Sequence, residues 1–513
     1  MRYEYKTNGT CSRLISFNAD EDGKITDIKF TGGCDGNLKA ISRAMEGKNA
    51  SEIKNLFKGI TCGSKPTSCS DQLSRALDKY MRENAIKCDN GVFFPAEVML
   101  PENADMTKWS VVACDQFTSE PEYWENADRI VGSAPSTLRI TLPEIYLDKP
   151  GVDEKIASIN KSMREYMRQG ILKQREPQFI LTERTLSNGA VRRGLVGMID
   201  LEKYDYSKGS ASAVRATEGT VTERIPPRLR VRKSAILELP HVMLLIDDRE
   251  KTVIEPLSFP EVKNTFEKLY DFKLMLSGGS VCGYAVSPEY TKKIDSALSA
   301  LADREAFDEK YNLSGDDNGV LLFAVGDGNH SLATAKAFYE RIKSTLSPAD
   351  AAEHPARYAL CEVVNLHDPA LEFEPIHRVL FGASPEAVEK ALRGYFELSE
   401  TQSEEQSFAF RADGRETRYF IKNPPSAIAV GSVQSFIDDF IKTSGRRVDY
   451  IHGADVARRL ADEGGAAAFL LPDTDKNMLF KTVISDGALP RKTFSMGHAC
   501  DKRYYLEARR IQR

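Results

Sequence analysis

The sequence predicts an α+β protein of two unequal parts, on three observations. Short alternating apolar runs separated by turn residues stand near the start, amphipathic helical spacing follows them, and a much longer remainder interleaves strand-like and helix-like segments. At 513 residues the chain is too long for one ordinary core. The predicted division is a small cysteine-containing α+β domain over 1–86 and a mixed α/β region over 87–513 with room for two subdomains.

In the first part, the alternation at Cys11-Ser-Arg-Leu-Ile-Ser-Phe17 and at Ile25-Thr-Asp-Ile-Lys-Phe30 predicts two strands, with Asp20-Glu-Asp-Gly23 as the turn between them. Helices are predicted over 36–47, 50–58 and 69–84. The last begins at Cys69-Ser70-Asp71 and carries Leu73, Leu77 and Tyr80 at helical spacing. The pattern stops between Asn84 and Gly91. Beyond Val92, strands are predicted at 109–114 and 195–201, helices at 153–169 and 261–276, and 233–247 is largely apolar. The run Val320-Leu-Leu-Phe-Ala-Val325 predicts a strand, and Ser331 caps a helix containing Leu332, Ala335, Phe338 and Tyr339 that ends before Ser347-Pro348. A strand over 357–366, a helix over 386–396 and strands within 408–421 complete the reading.

Apolar residues make up 41% and charged residues 28%, the balance of a folded, soluble chain. The 70 basic and 75 acidic residues leave a net charge of −5, which supplies no overall field for nucleic acid or an anionic membrane. A small phosphorylated metabolite needs only a local basic pocket and stays allowed. Met1-Arg-Tyr-Glu-Tyr-Lys-Thr-Asn8 lacks the apolar core of a signal peptide, and no stretch approaches a spanning helix, so a cytoplasmic location is expected. The composition leaves the oligomeric state open. Nine cysteines, an odd number, argue for free thiols. Cys11, Cys34, Cys62 and Cys69 cluster early; four thiolates brought together could hold a structural Zn²⁺. Their separations of 22, 27 and 6 intervening residues are not those of a compact finger, and four free thiols are the alternative.

Chemistry concentrates in two segments. In Gly326-Asp-Gly-Asn-His-Ser331 a strand runs into two glycines, an acid, an amide and an imidazole at the start of a helix. Such a turn can direct backbone N–H groups at an anion. Asp327 would bind Mg²⁺ or a proton, His330 would contact phosphate, and Gly326, Gly328, Asn329 and Ser331 would shape the cradle; a tight connection in which Asn329 and Ser331 only cap is the alternative. The second segment, 214–232, offers Arg215, Arg224, Arg228, Arg230 and Arg232 as planar multiple donors and Thr217, Thr220 and Thr222 as hydroxyls. Glu218 could act as general base or join Asp327 on Mg²⁺. A solvated charged loop is the alternative there. Asp115, just past the predicted strand ending at Cys114, is placed to meet a ligand or to cap.

Residues 1–85, through Thr31-Gly-Gly-Cys-Asp-Gly-Asn37 and Thr67-Ser-Cys-Ser-Asp-Gln-Leu73, resemble the TSCPD domain, with Ser70 standing where the motif's name has proline. That resemblance implies a metal or redox role for the cysteines. Residues from 90 to 510 resemble the DUF1015 family through Arg215-Ala-Thr-Glu-Gly-Thr220, Gly326-Asp-Gly-Asn-His330 and Arg357-Tyr-Ala-Leu360. The Asp-Gly-Asn-His-Ser run is also similar to the Asp-Gly-His-His-Arg motif of ParB-like proteins, whose relatives include free-serine kinases; Asn329 and Ser331 replace a histidine and an arginine. By this resemblance Gly328 approaches phosphate and His330 contacts the transferred phosphoryl group. The resemblance implies serine metabolism. The expectation is a phosphoryl-transfer enzyme, first an O-phospho-L-serine phosphatase using Mg²⁺, with Arg215 and Arg228 fixing the phosphate. The alternatives are an ADP- or ATP-dependent free-serine kinase and a nucleotide-controlled ParB-like binding protein.

Overall fold

A computed structural model describes the chain except residues 1, 21–23, 84–89, 240, 315–317, 402–405, 464, 474, 491 and 513. The chain forms two compact units, Met1–Cys88 and Asp89–Arg513. Both mix helices with sheets, as the predicted α+β class requires.

In the first unit, strands Arg2–Lys6, Ser12–Ala19 and Ile25–Gly32 form an antiparallel sheet in that order. Sequence alternation showed the second and third strands; the first, with half-buried Tyr3 and Tyr5, was not predicted. Residues 21–23 of the expected turn lie outside the described residues, as do residues 84–89 of the expected boundary. Helices Asp35–Met45, Ala50–Phe57 and Cys69–Glu83 follow. Ser68 starts the last, its Oγ accepting from the Asp71 N–H at 3.0 Å. Ile15, Phe17, Ile53, Leu73 and Leu77 make the buried core.

The second unit is built on a large mixed sheet. Its strand order is Glu267–Lys273, Ser280–Ala285, Ile180–Thr185, Val191–Asp200, Tyr358–Asn365, Met243–Ile246, Phe323–Asp327, Val214–Ala216 and Tyr204–Asp205. Each of the first five runs antiparallel to the next within that group; Met243–Ile246 is parallel to Tyr358–Asn365, and Val214–Ala216 is parallel to Phe323–Asp327. Alternation along Met243–Ile246 sends Leu244 and Ile246 into a core with Phe93, Phe179 and Phe323. Met243 and Leu245 enter a second core with Leu380, Phe408 and Phe469, which belong to a further sheet centred on Phe373–Phe381 and Ala466–Leu470.

Two expectations are corrected. Residues 261–276 hold the short helix Pro260–Lys263 and then strand Glu267–Lys273, because Phe266 and Tyr270, four apart, imitate a helical face while the intervening residues line a sheet edge. Residues 109–114 are no regular strand: Met106–Trp109 is a helical turn, and the buried continuation is held by Ala113 N–H on Arg503 O at 3.0 Å and Tyr505 N–H on Val111 O at 2.8 Å. Among the described residues no helix is long and apolar enough to cross a membrane.

Candidate active site

Strand Phe323–Asp327 lies between Met243–Ile246 and Val214–Ala216, so the two chemically rich segments are neighbours by backbone pairing, with Val214 opposite Phe323 and Ala216 opposite Val325. At the strand's end Gly328 takes φ 79°, and a Cβ there would meet Val242 Cα at 3.0 Å, so both conformation and space demand glycine. Helix Asn329–Lys343 begins at once. Ser331 is therefore in its first turn and is not its cap. Gly326 serves packing: a Cβ would come 2.9 Å from the Leu245 and Met496 side chains.

Asp327 Oδ1 accepts from the Gly328 N–H at 2.8 Å, and its Oδ2 is 3.3 Å from Lys502 Nζ. The Val221 N–H donates to His330 Nε2 at 3.3 Å, which places the proton of the neutral ring on Nδ1. Burial, then the charges of Arg228 and Arg224, bring the His330 pKa down to about 4. The ring is thus a neutral donor at physiological pH, unsuited to the role of base. Burial pushes the Glu218 carboxyl above its ordinary value, and the Asp327 charge adds to the rise, against the N–H groups of Lys492 and Thr493 and the Lys492 charge. Two buried oxygens beside these groups, Thr220 Oγ1 and Asn329 Oδ1, have no hydrogen-bond partner.

Several expected ligand groups are engaged elsewhere. Arg215 is 3% exposed, and its guanidinium donates to the carbonyls of Ser212 at 2.8 Å, Gly319 at 3.0 Å and Asn318. It braces the loop and does not face phosphate. Arg215→Ala is accordingly expected to lower stability by about 1–3 kcal/mol, through orphaned carbonyls, in urea denaturation. Thr217 Oγ1 donates to Val325 O at 2.6 Å inside the sheet. Arg230 pairs with Asp153 at the surface, and Arg228 grips Glu144 through two nitrogens. Arg228 therefore acts on the site through its charge on His330, as its fixed partner leaves it no free fork for phosphate.

The first turn of the same helix opens on a second feature, a cavity of about 170 Å³. Ser331, Leu332 and Ala335 line one side; Leu142, Ile159 and Met163 are among the apolar residues opposite. At its polar end stands His241, which sequence reasoning missed. His241 Nε2 lies 3.1 Å from Asp115 Oδ2 and 3.4 Å from Ser331 Oγ, and Nδ1 lies 3.1 Å from the Tyr505 hydroxyl. That hydroxyl also accepts from the Cys114 N–H at 3.2 Å and donates to Cys114 Sγ at 2.9 Å. Asp115 and Ser331 share one ring nitrogen, so this is not the relay of a serine hydrolase, in which acid and serine occupy opposite nitrogens. Burial alone would lower the His241 pKa, but Asp115 overrides it and raises it. Burial likewise opposes ionisation of Asp115, yet the His241 charge and hydrogen bond hold it well below the usual carboxylate range.

The histidines set a pH signature. A raised His241 contributes stability that is complete below the ordinary imidazole value of 6.5 and is lost as pH rises through its folded value. His330 and His377, both lowered to about 4, act oppositely: stability falls as pH drops from 6.5 toward 4. Their combined contribution is expected to peak near pH 6.5. In thermal unfolding against pH, His241→Gln should flatten the alkaline limb and His330→Gln should soften the acid one.

In the amino-terminal unit, Lys65 Nζ donates to Cys11 Sγ at 3.1 Å, and Cys11 leads Cys62 and Cys69 in raising the lysine pKa. Cys34 takes the N-cap position of helix Asp35–Met45. Cys11, Cys62 and Cys69 thus all act on Lys65, while among the described residues no group of three or more His, Cys, Asp or Glu side chains is arranged to hold a metal ion.

The model of the family described as a protein of unknown function, DUF1015, matches residues 95–440, more than half of the chain. The chain belongs to this family. The TSCPD domain model matches residues 1–81 of this DUF1015 protein. No curated protein matches it. Among solved structures it is similar to a free serine kinase in complex with AMP, at 12% identity and a TM-score of 0.30, covering 61% of this chain and 90% of that one. A conserved hypothetical protein from Pyrococcus furiosus gives 10% identity and 0.29 over 61% and 94%. SbnI with a C-terminal truncation from Staphylococcus aureus gives 9% and 0.30 over 59% and 83%.

Proposed function

We propose that this DUF1015 protein transfers a phosphoryl group from a nucleoside triphosphate to a small hydroxylated acceptor, and that free serine is the acceptor to which the Asp327–Ser331 motif points. One observation carries the reading: a single helix start serves both an oxygen-rich turn, through Asp327 and His330, and a largely apolar cavity, through Ser331, Leu332 and Ala335. A nucleotide needs both surfaces, one for phosphates and one for its base. A phosphatase using water as acceptor, the first expectation from sequence, has no use for an apolar cavity of this size.

Asp327, Thr220 Oγ1 and Asn329 Oδ1 are hard oxygen donors, two of them buried without partners, and are the groups that would hold Mg²⁺ together with the phosphates. Bound there, the ion would neutralise phosphate charge. Lys502 supplies a cation beside Asp327, and His330 donates from Nδ1 to a phosphoryl oxygen. The serine hydroxyl oxygen bonds to the γ-phosphorus as the bond from that phosphorus to the β–γ bridging oxygen breaks. The nucleoside diphosphate leaves, and the hydroxyl proton passes to Glu218, whose raised pKa suits a base.

The test is incubation of the full chain with ATP, Mg²⁺ and L-serine, and in reverse with ADP and O-phospho-L-serine. Phosphoserine with ADP in the first, and ATP in the second, are expected. Phosphate release from phosphoserine without ADP would return the reading to a phosphatase, and inertness in both directions would overturn it.

A further inference from the structure

Away from the candidate active site, strands Ile180–Thr185 and Val191–Asp200 place Arg184 directly opposite Arg192. Like charges at facing positions of an antiparallel pair destabilise it, and both side chains are buried, at 4% exposure each. Their terminal nitrogens are held by carbonyls: Arg184 donates to Gly278 O at 2.8 Å, Lys502 O at 2.9 Å and Cys500 O at 3.0 Å, and Arg192 to Asp501 O at 3.2 Å. Arg184 also lies over the Tyr504 ring, 4.8 Å from its centroid. Among the described residues neither arginine has a carboxylate within ion-pair distance. A third buried arginine, Arg503, is paired with Glu362 at 3.2 Å and with Glu507, so its charge is already met.

Burying a guanidinium without a directly paired counter-charge is costly, and the Glu362 charge reaches Arg192 and Arg184 only from beyond ion-pair distance. Here two such groups face each other, and the Nε–H groups of Arg184, Arg192 and Arg503 are all buried with no acceptor. All three residues line one cavity of about 20 Å³. A site needs roughly 10–15 Å³ to admit one water-sized particle. The cavity therefore takes one small particle and is too small for phosphate, sulfate or a carboxylate. The Glu362 carboxylate on its wall is occupied by Thr182 Oγ1 at 2.6 Å and by Arg503.

We infer that this cavity is a binding site for a single monatomic anion of the halide class, which accepts from the unpartnered Nε–H groups and separates the Arg184 and Arg192 charges. The inference is independent of the phosphoryl-transfer reading. It has a consequence for the site all the same, because Arg184 and Arg192 hold the carbonyls of Cys500, Asp501 and Lys502, the segment that presents the Lys502 ammonium to Asp327. An anion beneath this segment would fix the backbone from which Lys502 projects.

The test uses the full chain in sodium chloride, bromide and gluconate at equal ionic strength. Tm is expected to rise by about 2 °C or more in either halide relative to gluconate, saturating with halide concentration as a bound ligand requires. Arg192→Gln removes the facing charge and should abolish the halide dependence, with a Tm in gluconate no lower than that of the unaltered chain. Crystals grown in bromide should show an anomalous peak in the cavity between Arg184, Arg192 and Arg503. The same Tm in all three salts, a halide effect that persists in Arg192→Gln, or a bromide crystal with no such peak would overturn the site and leave the cavity to water.

Discussion

Glu218→Gln is expected to lower kcat for nucleotide-dependent phosphorylation by about 10²–10⁴-fold, the range for removal of a general base, while leaving the fold intact. The amide keeps the shape of the carboxylate and still has an oxygen to accept from the backbone N–H groups of Lys492 and Thr493. What it loses is a charge that is disfavoured where it stands, by burial and by Asp327. Tm should therefore stay level or rise as kcat collapses. In the unaltered chain kcat/KM for the proposed transfer should fall on the acid side through a group titrating above the ordinary 4.5 of glutamate, and that limb should vanish in the variant. A Tm that falls together with kcat would give Glu218 a structural role instead.

Glu238→Gln is expected to cost about 3–5 kcal/mol of stability, the range for breaking a buried ion pair from one side. Glu238 accepts from Arg509 Nε at 2.8 Å, Arg232 Nη2 at 2.5 Å and the Leu360 N–H at 2.9 Å, and both guanidiniums are largely shielded from solvent. Glutamine can keep part of the hydrogen bonding but leaves both cations without a counter-charge. Burial opposes its ionisation, but the Arg509 and Arg232 charges prevail and hold its pKa down. Its contribution is thus present above the ordinary glutamate value of 4.5 and is lost as pH falls through the folded one. The damage should reach the candidate site, because Leu237–Glu238 pairs with Arg509–Arg510 and so anchors the segment that carries Lys502 and Tyr505. A lower urea midpoint with an unchanged slope, together with reduced turnover, is the expected pair of results. A midpoint within experimental error of the parent would refute the structural assignment.

What was legible in the sequence was local. The Asp327–Ser331 turn could be read because an apolar strand, a glycine needed for φ 79° and a helix start follow one another within a dozen residues. Helices 36–47, 50–58, 69–84, 153–169 and 386–396 could be read because each carries its own apolar stripe, and all lie within a residue or two of Asp35–Met45, Ala50–Phe57, Cys69–Glu83, Val152–Arg168 and Pro385–Tyr395. Where a short segment satisfied two periods, as Phe266 and Tyr270 do, the neighbouring strand chose between them.

Residue roles followed a different rule. An arginine beside a ligand-like motif looks the same in sequence whether it faces a phosphate or a carbonyl; Arg215 is decided by Asn318 and Gly319, more than a hundred positions away. His241 carried no local signal, since its partners Asp115 and Tyr505 come from near the two ends of the second unit. The sequence by itself determined the α+β class, the family and the turn that bears Asp327 and His330, because these depend on residues close along the chain. Only the tertiary structure decided which cations are free to act, that His330 is a neutral donor, and that Lys502 stands beside Asp327. Charge and proton affinity depend on burial and on partners that the chain brings together only when it folds.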